Sequence, residues 1–135
     1  MSKIRQKSEF NIKAAEQLLK DAYYAPSVHC SYYSCFQLLK YTIKDFFNID
    51  YETQAVNMSV IGQKSHQYVV NYIAKELVSF VPFEESRNFK RTIKDLKQFR
   101  IESDYENLEI DLVKGNDAFN KAQEIRSYVI KNFHV

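Results

Sequence analysis

The feature that most restricts the fold of this chain is helical periodicity combined with very few helix-breaking residues. Its 135 residues include only two glycines and two prolines. Apolar residues recur three and four positions apart, and the strict alternation that marks a half-buried strand is missing. Residues of high helix propensity dominate several segments. The sequence therefore predicts an all-α fold, an antiparallel helical bundle of four to five helices with short connections.

Five segments of the chain have helical character. The second, residues 26–47, is apolar nearly all round, which is typical of a central helix that its neighbours cover on several sides. In the first, residues 8–23, an apolar stripe begins at Phe10 and continues at helical spacing. The remaining segments are residues 65–79, residues 84–103, and a last helix that begins between residues 111 and 116.

Residues 48–64 form the longest connection in this prediction. The stretch NIDYETQAVNMSVIGQK is rich in turn residues and has no clear apolar period. Connections of this length are usually functional loops or disordered segments. We therefore expect a binding loop or partial disorder here.

Length and charge limit the classes of function. A chain of 135 residues is one domain, residues 1–135, and it can bury a core without disulfides or metals. The net charge of +2 implies no strong overall attraction to nucleic acid, so such binding would need a local basic patch. The first residues lack the apolar run of a signal peptide, and no stretch approaches a membrane span. We predict a soluble cytoplasmic protein.

The only two cysteines, Cys30 and Cys35, stand in one predicted helix. Five residues of helix rise about 7.5 Å, which is more than a disulfide spans. Two cysteines without histidines at zinc-ligand spacing do not make a metal site. We expect free thiols, no metal and no cofactor.

One arginine stands on the apolar face of the segment 84–103. On a wheel at about 100° per residue, measured from Arg87, the apolar side chains share a sector of roughly 120–240°. Arg100 falls inside that sector at roughly 220°. Two interpretations stay open: a surface ion pair with Asp104, four residues on, or a buried or interfacial polar network that also includes Tyr105.

The same segment carries a stripe of basic residues on its opposite side. This stripe suits contacts with the phosphates of a nucleic acid, and it equally suits a solvated helix face. Asp95 and the acidic residues after Ile101 would oppose an extended nucleic-acid footprint. The residues of the stripe are Arg87, Lys90, Arg91 and Lys94.

Two further groups are candidates for binding RNA, a nucleotide or a partner. Tyr33 and Gln37 share a semi-polar face of the segment 26–47, as in a dimer interface, a cleft wall or a second core layer. His66 stands at a predicted helix N-terminus, where the positive end of the helix dipole lowers its pKa. A structural or capping role is the plainer interpretation of His66, and His29 and His134 are weaker candidates.

Three stretches, in the expected order and spacing, resemble one known family. SVHCSYYSCFQLLKYTI, residues 27–43, resembles the second helix of HEPN domains (higher eukaryotes and prokaryotes nucleotide-binding), which contains Tyr-Tyr-Ala. FRIESDY, residues 99–105, resembles the Arg-x-x-Ala-Asp-Tyr stretch of one prokaryotic branch. SHQYVV, residues 65–70, resembles that branch's helix beginning with Lys-His. The resemblance covers most of the chain, roughly residues 8–133.

The resemblance implies a bundle of four or five helices that is commonly dimeric. Many members of the family are metal-independent ribonucleases. Others are non-catalytic, and many are encoded beside a minimal nucleotidyltransferase as a toxin–antitoxin pair. In catalytic members a histidine follows the arginine by four to six residues. Arg100 matches the arginine, but no histidine stands in that window.

The missing histidine bears on the chemistry. Metal-independent RNA cleavage needs a group that exchanges a proton near neutral pH. Unperturbed histidine titrates at about 6.5, whereas tyrosine titrates at about 10 and aspartate at about 4. The chain also has Cys30 where the family often has an arginine, and Gln37 where it often has a histidine.

Two functions from different classes follow. The first is a non-catalytic HEPN-like interaction module that acts as a homodimer, with a nucleotidyltransferase as partner in a toxin–antitoxin-type system. The alternative is a divergent metal-independent ribonuclease, or a protein that binds nucleotides or RNA, and it would use Arg100 with Asp104 or Tyr105.

Overall fold

A computed structural model describes residues 2–135, and within this range the chain forms six α-helices and no strand. The predicted all-α bundle is confirmed, with one helix more than the four to five expected. No helix in residues 2–135 is long and apolar enough to cross a bilayer. The helices are α1 Lys3–Lys20, α2 Tyr24–Asp45, α3 Tyr51–Ile61, α4 Ser65–Leu77, α5 Phe83–Tyr105 and α6 Leu112–Phe133.

Helix α2 is the centre of the bundle and contacts α1, α4, α5 and α6. Its apolar residues point in several directions, and Val28, Leu38 and Ile43 are all fully buried. Burying such a side chain contributes about 1.5–3 kcal/mol. Covering every side of α2 is therefore the arrangement that removes most apolar surface from water, as the sequence predicted.

Helix α1 lies antiparallel to α2. The Ser8 hydroxyl donates to the Ser34 carbonyl at 2.6 Å, and the Ser27 hydroxyl donates to the Ala15 carbonyl at 2.7 Å. Residue numbers rise along one helix as they fall along the other, which is the pattern of antiparallel neighbours.

The stripe predicted for α1 is wrong. Phe10 is 65% exposed, and the residues that α1 buries are Ser8 and Ala15. Small side chains let α1 approach α2 closely, and the buried hydroxyl of Ser8 is satisfied by a hydrogen bond to α2. A polar contact therefore overrides the apolar pattern.

The segment 48–64, expected to be a loop or partly disordered, contains α3. Asp50 caps the first turn by accepting a hydrogen bond from the Thr53 backbone at 2.7 Å, and Gly62 ends the helix at φ 68°. Both capping signals are present in the sequence. Only Gln54 of α3 is buried, so the helix lacks the apolar stripe that periodicity detects.

A second buried arginine, which sequence analysis did not single out, joins α6 to α1 and α2. Arg126 is 6% exposed and donates to the Ser34 carbonyl at 3.3 Å, to the Ser8 hydroxyl, and to the Glu9 carboxylate at 2.5 Å. Glu9 also accepts from Arg5 at 2.5 Å, and chiefly that hydrogen bond lowers the pKa of Glu9. Arg126 thus supplies hydrogen bonds to buried oxygens of two helices.

Replacing Arg126 by alanine should lower the free energy of unfolding by about 2 kcal/mol, because buried oxygens lose their donor. Urea unfolding at pH 7 measures the change. The control Lys131→Ala, exposed on the same helix, should stay within about 0.5 kcal/mol of the wild type. If the two variants were equally stable, the Arg126 contacts would contribute nothing.

Candidate functional site

Three helices, α2, α4 and α5, meet around Arg100. Arg100 is 6% exposed, so its predicted inward placement is confirmed. The guanidinium carbon lies 5.3 Å from the ring centroid of Tyr32 and 5.5 Å from that of Tyr33, within cation–π range. The surrounding group, named the polar centre below, comprises His29, Tyr32, Tyr33, His66, Arg100, Asp104 and Tyr105.

Helical spacing builds this group from short stretches. His29 precedes Tyr32 and Tyr33 by three and four residues, which places all three on one side of α2. Asp104 follows Arg100 by one turn of α5. His66 is the second residue of α4.

Asp104 joins the arginine to a histidine of another helix. Its carboxylate oxygen Oδ2 lies 3.7 Å from Arg100 Nη1 and 2.8 Å from His29 Nδ1. The Tyr105 hydroxyl lies 3.5 Å from Arg100 Nη1. The pairing of Arg100 with Asp104 is therefore part of a polar network that begins at the buried guanidinium and ends at the exposed side chains of Tyr105 and His29, which is more than an isolated surface ion pair. The His29 side chain remains 46% exposed, so a ligand can reach it.

Tyr32 and His66 form the inner part of the polar centre. The Tyr32 hydroxyl and His66 Nδ1 are 2.6 Å apart, and the His66 ring stacks on Phe36 with centroids 4.4 Å apart. Burial raises the pKa of Tyr32, while burial, helped by Arg100, lowers the pKa of His66 to about 4. At neutral pH the imidazole is therefore uncharged, and an unprotonated Nδ1 can accept a hydrogen bond from the Tyr32 hydroxyl. The direction agrees with the sequence prediction, and burial is the main cause of the shift in pKa.

Two buried polar atoms in and beside the polar centre have no hydrogen-bond partner among residues 2–135. These atoms are Arg100 Nε and Ser103 Oγ. A buried unpaired donor costs about 1–3 kcal/mol and calls for an explanation.

Cys30 also lies near Asp104, and burial, followed by the charge of Asp104, raises the pKa of its thiol. Its thiol therefore stays protonated, and Cys30 and Cys35 are both free, as predicted.

The structure separates Gln37 from Tyr33, with which the sequence had grouped it. Tyr33 and His66 join Arg100, Asp104 and Tyr105, whereas Gln37 accepts a hydrogen bond from Asn11 of α1 at 2.8 Å. Gln37 therefore belongs to the contact between α1 and α2, away from the polar centre. No group of three or more His, Cys, Asp or Glu within residues 2–135 is placed to hold a metal ion.

His29 is the functional candidate that sequence analysis undervalued. Its helical spacing from the tyrosine pair was a readable signal. Its pairing with Asp104, 75 residues further along the chain, depends on the packing of α2 against α5. No local pattern predicts that contact.

The predicted basic stripe lies on the earlier turns of α5. Two of its members, Lys90 and Lys94, also line a groove between α4 and α5, and this groove reaches the polar centre at His66. The surface named the α4–α5 groove is lined by Lys64, His66, Gln67, Val70, Asn71, Lys90, Ile93, Lys94 and Lys97.

Fold and site together define a class: an all-α bundle whose central helix holds a tyrosine pair against a buried arginine. The sequence profile of the HEPN domain matches residues 1–133, and the chain belongs to the HEPN family. Comparisons with curated proteins and with solved structures each gave no significant match. The resemblance seen in the sequence is confirmed at the level of the family.

The lowered pKa of His66 predicts a loss of stability in acid. An unfolded histidine takes up a proton near pH 6.5, but folded His66 does so only near pH 4, so between these values the unfolded chain binds more protons. Stability should therefore decrease as the pH falls from 7 to 4.5. Urea unfolding across this range should show a smaller decrease in His66→Gln, whose amide oxygen can still accept a hydrogen bond from the Tyr32 hydroxyl. Equal decreases in both proteins would show that His66 is not the group responsible for the loss of stability.

Proposed function

We propose that this HEPN domain cleaves RNA without a metal ion, at the polar centre, with His29 as the proton acceptor. The observation that carries the proposal is the 2.8 Å contact between His29 Nδ1 and Asp104 Oδ2, next to Arg100. The sequence argued against catalysis because no histidine follows Arg100 within six residues. Helix α2 instead supplies His29, whose Nδ1 lies 2.8 Å from the carboxylate of Asp104, four residues after Arg100.

The geometry suits proton transfer by His29. Imidazole is the side chain best matched to proton exchange near neutral pH. Asp104 accepts a hydrogen bond from Nδ1, which fixes the tautomer and leaves Nε2 free to accept a proton. Because the side chain is 46% exposed, a ribose hydroxyl can approach it from solvent.

The reaction balances with the side chains present. His29 Nε2 takes the proton of the ribose 2′ hydroxyl, and the 2′ oxygen forms a bond to phosphorus. The bond from phosphorus to the 5′ oxygen breaks, and that oxygen takes the proton of the Tyr105 hydroxyl, which solvent replaces. The products are a 2′,3′-cyclic phosphate and a 5′ hydroxyl. The imidazolium then returns its proton to water.

Arg100 acts in this scheme mainly as a positioning residue. Because it is 6% exposed, it reaches a ligand only at the outer edge of its guanidinium. From there it holds Asp104 and Tyr105, with Nη1 at 3.7 Å and 3.5 Å from their oxygens. Its positive charge also favours the phosphate as charge builds on the non-bridging oxygens.

Cleavage of a labelled RNA in EDTA tests the proposal. His29→Ala should lower kcat by about 10²–10⁴-fold, because the proton acceptor is lost. Asp104→Asn should lower kcat less and shift its pH profile, and Arg100→Lys should lower kcat with little change in KM. His134→Asn is the matched control: His134 lies at the end of α6 with φ 55°, which asparagine tolerates.

Three outcomes of this assay decide whether His29 is the proton acceptor. Loss of cleavage in His29→Ala, with normal cleavage by the His134→Asn control, supports the proposal, provided that circular dichroism shows that both variants are folded. Equal activity in His29→Ala and His134→Asn would exclude His29 as the acceptor. No cleavage by the wild type would reject catalysis and favour the interaction module.

A separate observation favours the second candidate function, the interaction module. Several apolar residues close together in the sequence are exposed where α5 ends and α6 begins, beside the polar centre, and exposed apolar patches mark contacts with other proteins. We also infer that this α5–α6 patch is a homodimer contact, and that it could bind a nucleotidyltransferase partner as the family resemblance implies. The patch consists of Tyr105, Leu108, Leu112 and Val113, exposed by 74%, 55%, 49% and 74%.

Sedimentation equilibrium tests the dimer. Val113→Asp should shift the wild-type dimer towards monomer, because a charge would be buried in the contact. The control is Val60→Asp on α3, where valine is 79% exposed and outside the patch. A monomeric wild type, or equal dissociation by both variants, would remove the patch as the homodimer contact.

A further inference from the structure

We infer that the α4–α5 groove is the track for a single RNA strand, which enters the polar centre at His66 and ends with a base stacked on Phe83. The identity of the ligand rests on the proposed function. The track itself rests on charge, shape and one exposed aromatic ring, which are independent of the catalytic groups.

The α4–α5 groove carries positive charge without compensation. Lys64, Lys90, Lys94 and Lys97 line it together with amides, His66 and two apolar residues, and no carboxylate lines it. None of these lysines takes part in an ion pair within residues 2–135. Asp95 lies outside, on the neighbouring surface with Arg91. A ligand with several negative charges would therefore be attracted.

The positive charges in and beside the groove repel one another, and this repulsion affects the pKa of Lys97. Burial lowers the pKa of Lys97, and the charges of Arg100, Lys64 and Lys94 lower it further. Phosphates placed between these side chains would relieve that repulsion and release counterions. The groove thus favours a polyanion over a neutral partner.

The positive surface continues along α5 beyond the groove. Asn71 and Lys90 line both the α4–α5 groove and a second depression that includes Arg87 and Phe83. From Phe83 to Arg100 the helix rises about 25 Å at 1.5 Å per residue. One continuous basic surface therefore leads from Phe83 to the polar centre.

The exposed ring of Phe83 favours a single strand over a duplex. Phe83 is 65% exposed at the end of the track. Aromatic side chains beside basic grooves stack the free bases of single strands, whereas a duplex keeps its bases paired and stacked inside. The groove itself is lined by lysines rather than arginines, and lysine contacts phosphate as a point charge. We therefore expect little dependence on base sequence.

Fluorescence anisotropy with a labelled single strand of about 10 nucleotides tests the track. The double variant Lys90→Gln/Lys94→Gln should weaken binding about tenfold or more at low salt. The slope of log K against log salt should fall by about 1.4, since each phosphate contact to a single strand contributes about 0.7. The matched control is Lys7→Gln/Lys13→Gln, which removes the same charge from exposed positions of α1.

Phe83→Ala tests the stacking separately. Binding should weaken about tenfold while the salt slope stays unchanged, because no charge is removed. Phe10→Ala is its control, since Phe10 is also 65% exposed but lies on α1. If the two phenylalanine variants bound RNA equally well, Phe83 would not be the stacking residue.

A dinucleotide substrate separates this inference from the proposed function. Such a substrate spans the polar centre alone, so the groove variants should cleave it like the wild type, whereas His29→Ala should not. Normal RNA binding by the groove variants, with cleavage lost in His29→Ala, would overturn the track and leave the function standing. Weakened binding by the groove variants, with cleavage unaffected in His29→Ala, would support the track and overturn the proposed role of His29. Stronger binding of poly-glutamate than of RNA would overturn the track in favour of an acidic protein.

Discussion

The structure depends on how it accommodates two buried arginines against one central helix. Arg100 of α5 and Arg126 of α6 are each 6% exposed, and both contact α2. An unpaired charge inside a protein is strongly unfavourable, so each guanidinium must be surrounded by acceptors or aromatic faces. Helix α2 supplies both kinds of partner, the Ser34 carbonyl on one side and the tyrosine pair on the other. The two arginines thus join α5 and α6 to α2 by polar and cation–π contacts, in addition to the apolar packing of these helices.

The two arginines differ in what they leave open. Arg126 donates to oxygens of α1 and α2 and holds the bundle together. Arg100 keeps a buried Nε without a partner within residues 2–135, and its carboxylate partner Asp104 also binds the accessible His29. Natural proteins depart from complete polar satisfaction chiefly at functional sites. That difference is why we place the chemistry at Arg100 and assign Arg126 to stability.

Charge and apolar surface are distributed around the polar centre in a way that the overall composition conceals. The net charge is only +2, yet four lysines line one groove that no carboxylate lines. The groove approaches the polar centre through His66, and the α5–α6 patch begins at Tyr105 of that same centre. A polyanion and a protein partner would thus meet at one end of the bundle. Because Tyr105 belongs to both surfaces, a protein bound at the patch would compete with RNA for this residue, and the two proposed functions are alternatives.

Much of this protein was readable from the sequence, because helical periodicity is local. The all-α class, the central place of α2 and the inward direction of Arg100 follow from spacing alone, and all are confirmed. Periodicity failed where polar groups replace apolar ones, as at Ser8 of α1, and at α3, which buries too little to show a stripe. The contact between His29 and Asp104 was decided only by the tertiary structure, because the two residues are 75 positions apart in the chain and lie on different helices. The sequence determined the helical class and the buried faces of α2 and α5, because apolar spacing is local, whereas packing decided which polar side chains meet.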